Sequence, residues 1–193
     1  SNSSIVAVSD QTLHRTFASM DRVVHQRPEY AFGISMFSSR IYNYESINNE
    51  NLHGWYTGSG MTYLYTAQDY GQYSDSYWPT VDPYRLPGTT VDKMIRANGS
   101  NQDSNSSKNW VGGVTLDGIY GASGMDQAEV ALPSTLTAKK SWFMFDDELV
   151  ALGAGITDTS TNAVETTIEN RKISGSEALT VNGTVKPTTL GWS

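Results

Sequence analysis

Glu45 and Glu50 lie in residues 42–61 (YNYESINNENLHGWYTGSGM), the stretch of this chain with the most obvious capacity for chemistry. Two carboxyl groups on one loop can act as general acid and base on a glycosidic bond, where separations of roughly 5–10 Å set the stereochemical outcome. Around them stand the amides Asn43, Asn48, Asn49 and Asn51 and the aromatic rings of Tyr42, Tyr44, Trp55 and Tyr56. Neutral amides bond sugar hydroxyls or a carboxylate, and aromatic rings offer flat apolar faces to pyranose rings. The same composition also describes a packed connecting loop, because Asn and Gly favour turns and left-handed backbone. A loop flanked by strands leaves the distance between the two glutamates open.

A second acidic group is Asp146-Asp147-Glu148, between the apolar runs SWFMF and LVALG. It reads as a charged hairpin turn, or as part of a site for a hard cation, which takes six or more oxygen ligands at about 2.3–2.6 Å. Three residues do not supply six ligands. The histidines His14, His25 and His53 fit no two-ligand zinc spacing, and only His53 lies in the Asn-rich loop. There is no GxSxG nucleophile elbow, and Gly58-Ser59-Gly60 lacks the lysine and spacing of a phosphate loop.

Side chains of this kind need a scaffold, and the signals for one are β. Apolar and β-favouring runs occupy residues 31–38, 41–44, 61–65, 111–116, 119–124, 136–145, 149–152 and 164–168, separated by short turn clusters. Residues 12–24 and 90–97 have helical character. Residues 98–109 (NGSNQDSNSSKN) are polar and low in complexity, which predicts a mobile surface loop. Many short strands imply an all-β fold, a large antiparallel β-sandwich.

The 193 residues suffice for one domain with a proper core. A net charge of -7, with 13 scattered Lys and Arg, argues against a nucleic-acid partner. An acidic polysaccharide stays possible, since screening over about 10 Å lets a local positive groove override net charge. Without cysteine there are neither disulfides nor thiolate metal sites. No apolar run approaches the roughly 20 residues of a spanning helix, so no membrane partner is expected. The polar, aromatic, cysteine-free composition suits a secreted, extracellular bacterial protein. Both termini read as linker-like cut ends.

Several segments, in order, resemble polysaccharide lyase family 8: YESINNENLHGWYTGSGMTYLY, YWPTVDPYRLPGTTVD, KKSWFMFDDELVALGAGI and ENRK. That family contains hyaluronate, chondroitin AC and xanthan lyases, and the resemblance runs from about Met20 to Lys172. It implies a supersandwich-type β segment of a longer enzyme whose N-terminal α/α-toroid domain is absent from this chain. Residues 1–19 would be linker from that domain, and residues 20–193 a central β-sandwich truncated on its C-terminal side. The implied reaction is β-elimination at glucuronate in an acidic polysaccharide, which gives an unsaturated uronate and needs no catalytic cofactor. The catalytic Asn, His, Tyr and Arg of the family sit on the helical domain, the implied partner of this chain. The resemblance gives Glu45 a supporting role, orienting that arginine and tyrosine, and makes Asn48 a substrate contact. Asn51 and Trp55 would shape the loop and border the substrate. It also raises the standing of Asp146, Asp147 and Glu148 as ligands of a structural calcium. Ser59, in Thr57-Gly58-Ser59-Gly60, together with YGASGMD and KSWFMFDDE, leans toward the xanthan branch over hyaluronate or chondroitin AC lyases. A non-catalytic carbohydrate-binding β module is the reading from a different class.

Overall fold

Side-chain alternation along an extended backbone explains the first sheet. β1 (Leu13–Phe17), β2 (Arg22–Arg27), β3 (Tyr30–Met36) and β4 (Ser59–Thr66) pair antiparallel in that spatial order. The register sets Val23 opposite Ile34, and Val24 opposite Gly33 and then Tyr63. Because neighbours on a strand point to opposite faces, Val23, Phe32 and Ile34 share one face while Val24, Gly33 and Tyr63 share the other. The computed structural model describes residues 4–6, 8–67, 69–130, 134–173 and 178–188.

A second four-stranded antiparallel sheet follows, in the order β6 (Val111–Leu116), β7 (Tyr120–Ala128), β8 (Thr137–Met144) and β9 (Leu149–Thr157), after a short β5 (Thr90–Val91). Met125, Trp142 and Met144 leave this sheet to pack against Val23, Phe32, Ile34, Met36 and Phe37 of the first. Each such buried side chain stabilises the sandwich by about 1.5–3 kcal/mol. At one end of the interface His14 and His25 are buried, with their Nδ1 atoms 3.4 Å apart. A Cβ at Gly121 would stand 2.0 Å from His14 Nε2, so only glycine lets β7 approach β1 there.

A second core lies on the other face of the first sheet, formed by Tyr44, Trp55, Tyr56, Met61, Leu86 and Val91. It includes long loops, the helical turn α1 (Tyr77–Thr80), and β5 paired with β10 (Glu165–Thr166). β11 (Leu179–Val181) and β12 (Thr184–Lys186) make a separate hairpin turning through left-handed Asn182 and Gly183.

The all-β antiparallel architecture is the expected one. The helical expectation for residues 12–24 is corrected: they are β1, a turn and β2, so the sheet begins inside the stretch read as linker, residues 1–19. Leu13, Phe17, Met20 and Val24 have helical spacing, but cross-strand pairing decides. Residues 90–97 give only the two-residue β5 and irregular chain, and residues 41–44 form no strand. Residues 1–3 and 189–193, at the ends of the expected linker and domain, lie outside the described residues.

Candidate functional site

The Asn-rich segment is an ordered loop because asparagine tolerates positive φ. Asn48, Asn49 and Asn51 stand at φ 53°, 63° and 54°. These three left-handed residues curl the chain so that Asn51 Nδ2 donates to the Glu45 carbonyl at 2.7 Å and Ser46 Oγ donates to the Glu50 carbonyl at 2.8 Å. A Cβ on Gly54 would meet the Asn51 amide and the Tyr44 ring at 2.6 Å, so that position must be glycine.

Residues 98–106 wall the loop from outside, correcting the expectation of a mobile segment. Asn43 Nδ2 donates to the Asn101 carbonyl at 2.9 Å, Tyr44 Oη to the Ser100 carbonyl at 2.6 Å, and the Ser46 amide to Gln102 Oε1 at 2.7 Å. Backbone bonds join Asn43 N to Ser104 O, Asp103 N to Tyr44 O and Gly99 N to Leu52 O. His53 Nε2 meets Asn98 Oδ1 at 2.8 Å. Low complexity hides this, since serine and asparagine supply side-chain bonding groups without any hydrophobic signature.

The far end of the loop is fastened to a buried charge cluster. Arg96 Nε donates to Tyr56 Oη at 2.8 Å, and Arg96 Nη2 pairs with Glu129 Oε2 at 3.3 Å. Glu129 Oε1 accepts from Ser59 Oγ at 3.1 Å and Gln127 Nε2 at 3.0 Å. The Lys140 ammonium donates to the Ser59 and Gly88 carbonyls. Burial pushes the Lys140 ammonium down to about 7, an effect that Glu129 opposes, and burial raises the Glu129 carboxyl, which Arg96 opposes. Nothing in residue types announced this cluster. Arg96 from the chain after β5, Glu129 just past β7 and Lys140 on β8 come together only in the folded sandwich.

Between these anchors the Glu45 side chain is exposed, and among the described residues none bonds its carboxylate. It opens on a groove of about 740 Å³ whose walls include Arg22, Arg40, Tyr42, Asn43, Thr57 and the acidic Asp103. Arg40 pairs with buried Asp21 at 2.9 Å, and Arg22 donates to the Met36 carbonyl at 2.6 Å, so both guanidinium groups are held in place. Sequence reasoning missed these two arginines: Arg22 belongs to β2, far from the loop in sequence, and Arg40 stands just ahead of the stretch read for chemistry. The groove therefore combines two carboxylates, two held guanidinium groups, one of them already paired with Asp21, and amides, a set of donors and acceptors that can bond a sugar chain.

Of the other candidates, Asn48 is exposed at the loop tip, and Asn51 spends its amide on the loop as well as lining the groove. Trp55 was expected to shape the loop and border the substrate. It is 5% exposed, packed in the second core between His53 and Tyr84 at ring distances of 4.9 and 5.4 Å, and it shapes the loop only. Asp146, Asp147 and Glu148 form the turn between β8 and β9, closed by Phe145 N donating to Glu148 O. Asp146 Oδ1 pairs with Arg27 Nε at 3.1 Å and Oδ2 accepts from Tyr120 Oη at 2.8 Å. Among the described residues no three acidic or histidine side chains are gathered as a metal would need, so this turn does not fit a calcium by itself.

A model of the family described as polysaccharide lyase family 8, super-sandwich domain, matches residues 12–193. The chain is 52% identical over 190 residues to a xanthan lyase of Bacillus sp. (strain GL1), covering 97% of this chain and 20% of that protein. It is 49% identical to a hyaluronate lyase of Thermasporomyces composti, covering 93% of this chain and 23% of that one. It superposes on the structure of a Paenibacillus xanthan lyase with a TM-score of 0.88 at 52% identity, covering 99% of this chain and 18% of that one. The chain thus spans about a fifth of the length of these relatives. With a matching sandwich, a match over nearly the whole length and about half the residues shared, the chain belongs to polysaccharide lyase family 8, as its super-sandwich domain.

Proposed function

We propose that this chain forms the β wall of the cleft of an extracellular lyase that cleaves a glucuronate-containing polysaccharide by β-elimination. The observation that carries the reading is the unbonded Glu45 carboxylate at the mouth of the arginine-walled groove, on a loop fixed at both ends. A polymer substrate places the enzyme outside the cell.

The chemical difficulty is the weak acidity of the uronate C5 proton beside a carboxylate that resists further negative charge. Donors that neutralise the carboxylate stabilise the enolate-like state, and a base within hydrogen-bond reach removes the proton. The family resemblance assigns the Asn, His, Tyr and Arg for these steps to a helical domain, so the chain requires that partner. Glu45 then accepts from the incoming arginine, holding its guanidinium in one orientation and favouring the charged form. Asn48 offers an amide to the sugar. Arg22 and Arg40 offer guanidinium donors to a uronate in a groove that also holds the Glu45 and Asp103 carboxylates. Xanthan is the favoured polymer, given Ser59 and the xanthan lyase similarity, with hyaluronan and chondroitin as the other members of the class.

The test is complementation. Incubated with xanthan or hyaluronan, the chain alone generates no ultraviolet-absorbing unsaturated uronate, and adding the helical domain restores it. Product from the isolated chain would overturn the divided-site reading.

A further inference from the structure

Beside the Glu45 groove, on the other side of the same loop, runs a second groove of about 790 Å³ that the β-elimination chemistry leaves without a task. Asn51 and Thr57 line both, so the two adjoin across the loop. Their chemistry differs. Arg22 and Arg40 balance Glu45 and Asp103 in the first, whereas the described lining of the second contains neither Arg nor Lys and includes Glu50. A uronate is therefore repelled from the second groove, and an uncharged ligand is not.

Trp78 forms its apolar side. It is 44% exposed, although its neighbour Tyr77 is buried. The Trp78 ring stands edge-on to Tyr77 at 5.2 Å, Tyr77 Oη donates to the Asn170 carbonyl at 3.1 Å, and the Tyr77 carbonyl accepts from Val81 N at 2.8 Å. Pro79 fixes the backbone directly after it. The indole is thus a pre-positioned flat surface. The same groove is lined by the loop residues Asn49 and His53, with His53 held by Asn98 and set against Trp55. A flat aromatic face together with amide and imidazole groups is what a pyranose requires, with its C–H face on the ring and its hydroxyls on the polar rim.

We propose that Trp78, with Asn49 and His53, forms a subsite for a neutral pyranose, next along the chain from the uronate handled at Glu45. It rests on the lyase reading for the identity of the polymer. Trp78 is a binding residue here: it selects the uncharged sugar of an acidic repeat and takes no part in proton transfer.

The experiment uses this chain and a hyaluronan tetrasaccharide, with binding followed by calorimetry and indole fluorescence. Binding is expected to weaken at least tenfold in Trp78→Ala and to recover most of the way in Trp78→Phe, which keeps a flat ring. Trp110→Ala, which removes a more open indole on the outer face of the second sheet against Gly124, leaves binding unchanged. The contribution of Trp78 is the same in low and high salt, because no ion pair is involved. Thermal melting confirms that each variant is folded. Equal affinity of Trp78→Ala and wild type would overturn the subsite, as would an absence of binding by the wild-type chain up to about 1 mM, an affinity near 4 kcal/mol. Both results leave the lyase reading standing, since that is decided by turnover in the complemented enzyme.

Discussion

The loop carrying Glu45 and the turn carrying Asp146 are both acidic, exposed and adjoined to strands, yet the fold uses their carboxylates in opposite ways. Around Glu45 the backbone and neighbouring amides do the structural work: Asn51 bonds the Glu45 carbonyl, and residues 98–106 bond Asn43, Tyr44 and Ser46. The carboxylate is left unspent. At the turn the carboxylate itself does that work, since Asp146 neutralises Arg27, which is 6% exposed and also donates to the Ile119 carbonyl at 2.7 Å. Arg27 also donates to the Gln26 carbonyl, so Asp146 completes its set of partners and serves the fold, with a gain that the exposed carboxylate keeps small. Availability of acceptor sites, and not acidity or exposure, separates the functional carboxylate from the structural one.

The largest effect should come from removing the anchor of the Glu45 loop. Arg96→Ala leaves the Glu129 carboxylate buried without its charge partner and is expected to cost about 3–5 kcal/mol in urea unfolding. Replacing Arg96 and Glu129 together by apolar residues recovers much of that loss, and a double variant no more stable than Arg96→Ala would show that the pair is not the anchor. Next is Glu45→Gln in the enzyme complemented by its helical domain. It should lower kcat by about 10²-fold through a misplaced arginine while stability stays within about 0.5 kcal/mol. An unchanged rate would remove Glu45 from the mechanism and erase the contrast with Asp146.

Acid should attack the Asp146 side of the molecule. His14 is held down to about 4 by burial and by the neighbouring His25 and Arg27. His25 is lowered by burial, against the hydrogen bond to the Phe145 carbonyl and the charge of Asp146, with Arg27 lowering it further and Tyr30 Oη at 3.2 Å. An unfolded histidine titrates near 6.5, so below that pH the unfolded chain binds more protons than the native one. Stability present at pH 7 is therefore lost as pH falls from about 6.5 to about 4, by about 1–3 kcal/mol. His14→Gln should flatten this profile, and a slope unaltered by the substitution would place the acid lability elsewhere. The smallest effect belongs to Asp146→Asn, about 0.5–1.5 kcal/mol because the carboxylate is 59% exposed, with no change of kcat. Calcium should leave the melting temperature of this chain unchanged. A rise of several degrees would show that groups beyond the Asp146 turn complete a cation site there.

Much of the scaffold was legible in the sequence. β6 runs over residues 111–116 as expected, despite two glycines, and β3, β4, β7, β8 and β9 overlap their predicted runs. The acidic triplet reads correctly as a hairpin turn. β1 was not legible, because four apolar residues at helical spacing outvoted a pairing that exists only once β2 lies beside it. Trp55 was misread since a tryptophan in a polar loop carries no local sign of whether its ring faces water or the second core.

By itself the sequence determined the β class, the turn chemistry of Asn48, Asn49 and Asn51, the absence of thiol chemistry, and, through its long shared segments, the family. These are local properties, set by backbone preferences and residue types. Only the tertiary structure decided which carboxylate is free, which arginines face it, and that Trp78 and not Trp55 presents an open ring. Each of those depends on charges and rings brought together from distant parts of the chain, and no spacing along a sequence encodes that meeting.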